Sequence, residues 1–207
     1  MAKKKKNKKP GSIEDHDDIV ECTVAAEPVD DGPYLISLYG RVEEEEIGEV
    51  VQALYAQKLA CDKKLRIPKA VKLVVSTHGG DAMEMFSLYD MIKYVQKTYP
   101  VHTVGMGKIM SAGTLLLASG TKGKRKIGAN CRVMLHNVKG GAPHAACYDV
   151  LKHEIKEIEW FQERYISCLA KETFLSEADL EDIMNSRKNI YIDAEEAVKV
   201  GLADKII

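Results

Sequence analysis

Residues 105–136 read GMGKIMSAGTLLLASGTKGKRKIGANCRVMLH and place a serine and a histidine on either side of a short apolar segment. Ser111 stands at a glycine-lined turn before the helix-like run TLLLASG, and His136 ends the strand-like run CRVMLH. A serine hydroxyl that gives up its proton to a histidine is the basis of nucleophilic catalysis. The alternative is structural: Ser111 caps a helix, and His136 is an ordinary core or surface residue. The rest of the chain has to decide between these two interpretations.

The segments around this stretch alternate between strand-like and helix-like patterns. Short β-branched or apolar runs predict strands, and apolar residues at three- and four-residue spacing predict helices. The predicted strands are residues 34–40, 71–77, 101–106 and 131–136, and the predicted helices between them are residues 43–60 and 82–96. Such alternation is typical of an α/β domain whose strands are mostly parallel.

A long helical pattern follows His136. Its apolar residues recur at three and four positions and form a stripe about 25 Å long at 1.5 Å per residue. The stripe consists of Leu151, Ile155, Ile158, Phe161, Tyr165 and Cys168. We expect this helix to project toward a partner subunit, although packing against its own domain also fits the pattern.

The first 31 residues differ from the rest of the chain. Six lysines occur in the first nine residues, and eight acidic residues follow between Glu14 and Asp31. Such a segment cannot bury enough apolar surface to offset the entropy of ordering, so we predict a disordered or loosely attached leader. Residues 32–207 then form a single domain. The lysines are not followed by an apolar segment, which argues against a signal peptide.

The overall composition excludes several classes of protein. The 207 residues are 45% hydrophobic and 29% charged, with a formal net charge of −1, which is ordinary for a globular protein. This charge gives no indication of binding to nucleic acid or to a membrane surface, and no apolar run is long enough to span a bilayer. The five cysteines contain no C-x-x-C motif, which favours reduced thiols over disulfides or zinc. No cofactor is expected.

A glycine pair supplies a third element of the candidate site. Gly79 and Gly80 follow a predicted buried strand, where glycine permits either a positive φ or a close approach of the backbone to a ligand. His78 could form a metal pair with His136, but the sequence offers no third ligand. The G-x-S-x-G motif of α/β-hydrolases is absent because position 109 is isoleucine.

Three segments occur together in an order that resembles the Clp protease proteolytic subunit (ClpP) family. They read VVSTHGGDAMEMFSLYDMI, then GMGKIMSAGTLLLASGTKGKRKIGANCRVMLHN, then YIDAEEAVKVGLADKII, and the resemblance covers residues 34–207. It implies a ClpP/crotonase-like α/β fold with flanking helices and a long projecting helix, the handle. It also implies a serine endopeptidase that assembles into stacked, typically heptameric rings. Such rings receive unfolded polypeptides from a hexameric AAA+ ATPase of the Clp type.

The resemblance assigns roles to individual positions. Ser111 falls on the nucleophile and His136 on the base, while Gly80 and Ala112 fall on the two N–H donors of the oxyanion hole. Gly79 belongs to the same glycine turn. The segment Lys139-Gly140-Gly141 leads into the handle through which rings meet, and its two glycines contribute to substrate binding.

The chain departs from the family pattern at three places. Thr77-His78-Gly79-Gly80 stands where the family reads S-P-G-G, and Ile109-Met110 precedes the serine where small residues are usual. The third departure is at the triad acid, which falls on Asn189. An asparagine can orient a histidine but cannot stabilise its charged form, and Asp-to-Asn at this position lowers turnover about 10⁴-fold in serine proteases. A shifted alignment would bring in Asp193 or Asp182 instead.

Three functions are compatible with these observations. The first is a working Clp-type serine endopeptidase in the cytoplasm, the plastid stroma or the cytoplasm of an infected cell. The second is a weakly active or inactive ring subunit that acts as scaffold or regulator of an active partner, an interpretation motivated by Asn189. The third, a crotonase-type acyl-CoA enzyme, is the least favoured because such enzymes use Glu or Asp as acid and base.

Overall fold

A computed structural model describes residues 34–63, 70–140 and 147–207. The leader and Gly141 lie outside the described residues. The strands are β1 (Tyr34–Val42), β2 (Val71–Gly80), β3 (Val101–Met110), β4 (Lys126–Ile127), β5 (Arg132–Leu135), β6 (Ile190–Ile192) and β7 (Lys205–Ile206). The helices are α1 (Glu44–Asp62), α2 (Ala82–Val95), α3 (Ala112–Ala118), α4 (Tyr148–Glu172), α5 (Glu177–Asn185) and α6 (Ala194–Lys199).

The strands form one sheet that is mostly parallel, as the alternating pattern predicted. Its main path runs β1-β2-β3-β4-β7, and β5 pairs with β3 in parallel. The exception is β6, which is antiparallel to β5. Because β2, β3 and β5 are parallel, their carboxyl ends lie at the same edge of the sheet, where ligands bind in open α/β folds. The glycine pair forms the end of β2, Ser111 directly follows β3, and His136 directly follows β5.

Helix α3 lies at the centre of the core. All seven of its residues are buried, and it contacts β2, β3, α2 and α4. Helix α2 covers it with an apolar face that includes Met85, Leu88, Ile92 and Val95, all buried. In the described part of the chain, no helix combines the length and apolarity needed to cross a membrane.

Helix α4 divides into two halves with different surroundings. Its first half is exposed, with 40% of Leu151 and 55% of Ile155 accessible, whereas Tyr165, Cys168 and Leu169 are buried in the second half. The helix has 25 residues and is therefore about 37 Å long. The carboxyl-terminal half packs on the domain, which confirms the second expectation for that half, and the amino-terminal half is exposed.

A buried ion-pair network fixes the base of α4. Arg125 is 1% exposed; its Nη2 lies 2.5 Å from Asp204 Oδ1, and its Nη1 donates to the Glu172 carbonyl at 2.6 Å. The Glu172 carboxylate pairs with Lys93 at 2.5 Å and accepts a hydrogen bond from the Tyr89 hydroxyl at 3.0 Å. These contacts join the last turn of α4 to α2, β4 and the chain end.

Candidate active site

A cleft of about 550 Å³ opens at the carboxyl edge of the sheet. The ends of β2, β3 and β5 form its floor, and α4 forms one wall. Its lining includes most of the positions that the sequence singled out, namely His78, Gly79, Gly80, Ser111, Ala112, His136 and Gly140. The structure therefore brings together residues that are separated by more than sixty positions in the chain.

Ser111 has an unusual backbone conformation, with φ 54° and ψ −120°. A positive φ costs a non-glycine residue about 1–3 kcal/mol and persists only where the surroundings enforce it. Here the Ser111 N–H donates to the Met134 carbonyl at 2.8 Å, and the Ser111 carbonyl accepts from the Thr114 N–H at 2.9 Å. Although Ser111 occupies the N-cap position of α3, its hydroxyl makes no capping hydrogen bond. The structural alternative, a capping serine, is therefore wrong.

The glycine pair lets the end of β2 approach Ser111. A Cβ on Gly79 would lie 2.6 Å from Ser111 Cβ and 2.9 Å from the Met110 carbonyl oxygen, and Gly79 has φ 86°. A Cβ on Gly80 would lie 2.1 Å from the Val42 carbonyl oxygen. Both positions therefore require glycine: Gly79 for its conformation and its contact with Ser111, and Gly80 because β1 packs directly against it.

The backbone N–H of Ala112 has no hydrogen-bond partner within α3, because Ala112 is the first residue of that helix. The first N–H groups of a helix have no partner within the helix, and Ala112 both begins α3 and lines the cleft. Gly80, the last residue of β2, lines the same cleft. The two residues whose N–H groups the resemblance assigns to an oxyanion hole thus line the same cleft as Ser111.

His136 follows β5 and is partly buried. Burial, reinforced by the positive charge of Lys139, lowers the pKa of His136 below its usual 6.5, and the Asn137 backbone only partly opposes this. The imidazole is therefore neutral at pH 7, the form that can accept a proton. Within the described segments, no hydrogen bond joins His136 to Ser111, and His136 Nδ1 is buried without a partner. Catalytic hydrogen bonds are often long before substrate binds.

Asn189 lies next to His136 in the sheet, but its side chain does not orient the imidazole. The antiparallel pairing of Leu135 with Ile190 places residue 189 opposite residue 136 by register. The Asn189 side chain is exposed, and it is not part of the cleft lining.

The two alternative acids lie farther away. Asp193 caps α6 by accepting from the Glu196 N–H at 2.8 Å. It follows Ile192, which pairs with Val133, so its backbone is more than about 10 Å along the sheet from His136. Asp182 is exposed on α5. In this conformation neither carboxylate reaches the cleft.

The segment after His136 packs on α4. A Cβ on Gly140 would lie 2.3 Å from Ile158 Cδ1, so glycine at this position lets the backbone lie directly on α4. Lys139 is exposed and lines the cleft with Glu154 and Glu157 of α4. His78 is exposed in the same cleft, and the described residues contain no group of three His, Cys, Asp or Glu side chains suited to a metal ion.

Two residues at the site were not found from the sequence. Thr114 and Tyr165 are both buried, and their hydroxyl groups contact each other and the Ser111 carbonyl. Tyr165 belongs to the apolar stripe of α4, where an aromatic residue is typical of a core position. Nothing in the sequence signals its contact with Ser111, because the contact depends on the packing of α4 against α3.

A mostly parallel α/β sheet with a serine and a histidine in one cleft at its carboxyl edge is an architecture used by hydrolases. The Clp protease family model matches residues 34–207. The chain therefore belongs to the Clp protease family.

Individual members of the family are similar over most of the chain. The chain is 32% identical to the ATP-dependent Clp protease proteolytic subunit 2 of Prochlorococcus marinus over 76% of its length and 75% of the relative's. It is 31% identical to subunit 3 of a Synechococcus species, covering 76% of each chain. It is 28% identical to the proteolytic subunit of Deinococcus radiodurans, over 77% of this chain and 74% of that one. Identities near 30% make this chain a divergent member of the Clp protease family.

Proposed function

We propose that this chain is a Clp-type serine endopeptidase subunit, with Ser111 as nucleophile and His136 as base. The observation that carries the proposal is the state of Ser111: its backbone is held at a positive φ, and its hydroxyl is free of the capping role that its position offers. It shares a cleft with a histidine whose lowered pKa keeps it neutral. Family membership supports the same chemistry.

The reaction follows from these positions. His136 Nε2 takes the Ser111 proton as Oγ attacks the carbonyl carbon of a peptide bond, and the carbonyl oxygen becomes an oxyanion. The N–H groups of Gly80 and Ala112 donate to that oxyanion. The imidazolium then protonates the leaving amine as the C–N bond breaks, leaving an acyl-enzyme. Water hydrolyses the acyl-enzyme by the same route, with His136 again as base.

The substrate and assembly follow the family. Unfolded polypeptides enter a chamber formed by stacked rings of this chain, delivered by a Clp-type AAA+ ATPase in the cytoplasm or a comparable compartment. The exposed apolar residues on the first half of α4 support a role for this half in joining copies of the chain. Glycines 140 and 141 contribute backbone to the substrate-binding edge.

A second function is favoured by one specific observation. His136 Nδ1 has no acceptor among the described residues, and Asn189 does not supply one. An imidazolium would therefore be poorly stabilised, which suits a weakly active ring subunit that supports an active partner. Labelling decides between the two functions.

The experiment is reaction of the purified chain with a fluorophosphonate probe, using Ser111→Ala and His136→Ala as controls. Labelling of Ser111 that is lost in both variants supports the peptidase. Ser176→Ala, which removes a serine that caps α5, should label like the wild type. Failure to label in the assembled wild-type protein contradicts the peptidase and supports the scaffold function.

A further inference from the structure

The Ser111 carbonyl is surrounded by hydroxyl groups from two helices. The Thr114 hydroxyl lies 2.7 Å from the Ser111 carbonyl oxygen, and the Tyr165 hydroxyl lies 3.1 Å from it. The two hydroxyls also contact each other. Thr114 is fully buried in α3, and Tyr165, 4% exposed, comes from the packed half of α4.

Counting protons shows that at least one of the two hydroxyls always donates to the Ser111 carbonyl. The two hydroxyls have one donatable proton each, and three oxygen–oxygen contacts are available to them. The proton shared between Thr114 and Tyr165 can come from only one of them. The hydroxyl that does not donate to its neighbour must then donate to Ser111. Burial raises the pKa of Tyr165 to about 12, so its proton is retained at physiological pH.

The Ser111 carbonyl belongs to the same peptide group as the Ala112 N–H. In a trans peptide the C=O and N–H lie in one plane and point in opposite directions. Fixing the carbonyl toward Thr114 and Tyr165 therefore fixes the direction of the Ala112 N–H on the other side of the group. A hydrogen bond accepted by a carbonyl also polarises the N–H of its peptide, which strengthens that N–H as a donor.

We propose that Tyr165, together with Thr114, is a positioning residue that holds the 111–112 peptide and thereby aims the Ala112 N–H at the reacting oxygen. The inference rests on the proposed peptidase function, because it gives the Ala112 N–H a role in the oxyanion hole. It also explains how Ser111 keeps its positive φ, since the carbonyl is held from two helices while the N–H is held by β5.

The test compares four variants of the full chain. Tyr165→Phe removes one hydroxyl and keeps the ring, Thr114→Val removes the other with little change in shape, and the double variant removes both. The matched control is Tyr89→Phe, which removes a tyrosine hydroxyl of similar burial that donates to Glu172 and not to Ser111. Peptide hydrolysis is measured as kcat and KM, alongside inhibition by a peptide boronate that mimics the tetrahedral intermediate.

We expect each single variant to lower kcat about five- to tenfold and to weaken boronate binding in parallel, with KM nearly unchanged. The double variant should lose more than either single variant, because each hydroxyl alone can still donate to the carbonyl, whereas the double variant leaves only the Thr114 backbone N–H, 2.9 Å from that oxygen. Tyr89→Phe should lose stability without this change in kcat. Equal kcat in Tyr165→Phe and Tyr89→Phe would overturn the proposal, as would a rise in KM without a fall in kcat.

A crystallographic measurement decides the inference even if the protein has no activity. In the Tyr165→Phe/Thr114→Val protein, the 111–112 peptide should rotate, which changes the Ser111 ψ from its present −120°. A peptide that keeps its direction in the double variant would overturn the positioning role. If wild-type protein neither labels nor cleaves while the peptide still rotates in the double variant, the proposed function fails and the positioning role stands.

Discussion

The ion-pair network around Arg125 and the cleft around Ser111 both place polar side chains within the apolar core. They differ in how far these polar atoms have hydrogen-bond partners. Arg125 donates to Asp204, to the Glu172 carbonyl and to the Ala118 carbonyl, so its charge and most of its donors are matched. In the cleft, Ser111 has a strained backbone and His136 Nδ1 lacks a partner. Fully matched polar groups stabilise a fold, whereas strain and unmatched groups concentrate where a protein functions.

The largest expected effect is on stability and comes from breaking the Arg125 ion-pair network. Arg125→Met removes the guanidinium donors to Asp204, to the Glu172 carbonyl and to the Ala118 carbonyl, and removing one partner of a buried pair costs about 3–5 kcal/mol. Denaturant unfolding of the full chain measures the change in the free energy of unfolding. Arg132→Met removes an exposed arginine and should cost less than about 1 kcal/mol. Similar losses in both variants would contradict the importance of the Arg125 network.

Gly79→Ala breaks the cleft by steric contact with Ser111. Its Cβ would lie 2.6 Å from Ser111 Cβ, so the serine must move, and we expect labelling and hydrolysis to fall about 10²- to 10³-fold. Gly123 also has a positive φ, 78° against 86°, but a Cβ there meets nothing within 4 Å. Gly123→Ala therefore controls for backbone strain alone, and activity lost equally in both would show that contact with Ser111 is unimportant.

Asn189→Asp should give His136 a charged partner, as Asp204 is for Arg125. The register places residue 189 beside His136, so an aspartate that turns from solvent toward the imidazole could accept from Nδ1–H and stabilise the imidazolium. We expect kcat to rise about 10²-fold, part of the factor that the reverse change costs serine proteases. Asn185→Asp introduces the same charge at an exposed position on α5 and should have little effect. An unchanged kcat in Asn189→Asp would show that another group orients His136.

The smallest effect concerns the pH dependence of hydrolysis. Only neutral His136 accepts the proton, so activity falls as pH drops through its pKa, and a lowered pKa places this midpoint below 6.5. Lys139→Gln removes a positive charge that contributes to the lowering, so the midpoint should move to higher pH. Lys199→Gln, on exposed α6, should leave it unchanged. A midpoint above 6.5 in the wild type would contradict the burial of His136.

The sequence predicted the fold more fully than the site. The alternation of strand-like and helix-like segments was sufficient for the parallel α/β class, and parallel strands explain why residues at the ends of β2, β3 and β5 meet in one cleft. The prediction ended β3 at Met106, whereas the strand continues to Met110 because Lys108, Ile109 and Met110 pair with β5. A pairing partner from a distant segment is not visible in a local pattern.

The parts of the site that could not be predicted depend on side-chain direction. The family resemblance placed Asn189 at the triad position, and the register sets it opposite His136, but only the structure shows that Asn189 is exposed. The contact of Tyr165 with Ser111 likewise depends on the angle at which α4 crosses α3. Periodicity identifies which face of a helix is buried, but not which atom on another helix it meets.

The complete burial of α3 has a consequence for inhibitor chemistry. Every residue from Ala112 to Ala118 is buried and only Ala112 of them lines the cleft, so a small molecule directed at Ser111 finds little selectivity on the helix behind the serine. It must gain selectivity from the exposed walls of the cleft. Those walls include His78, which stands where the family pattern has proline, and Met83, of which 61% is exposed. A warhead attached to a group that packs on Met83 and accepts a hydrogen bond from the His78 ring would distinguish this chain from relatives with the usual proline.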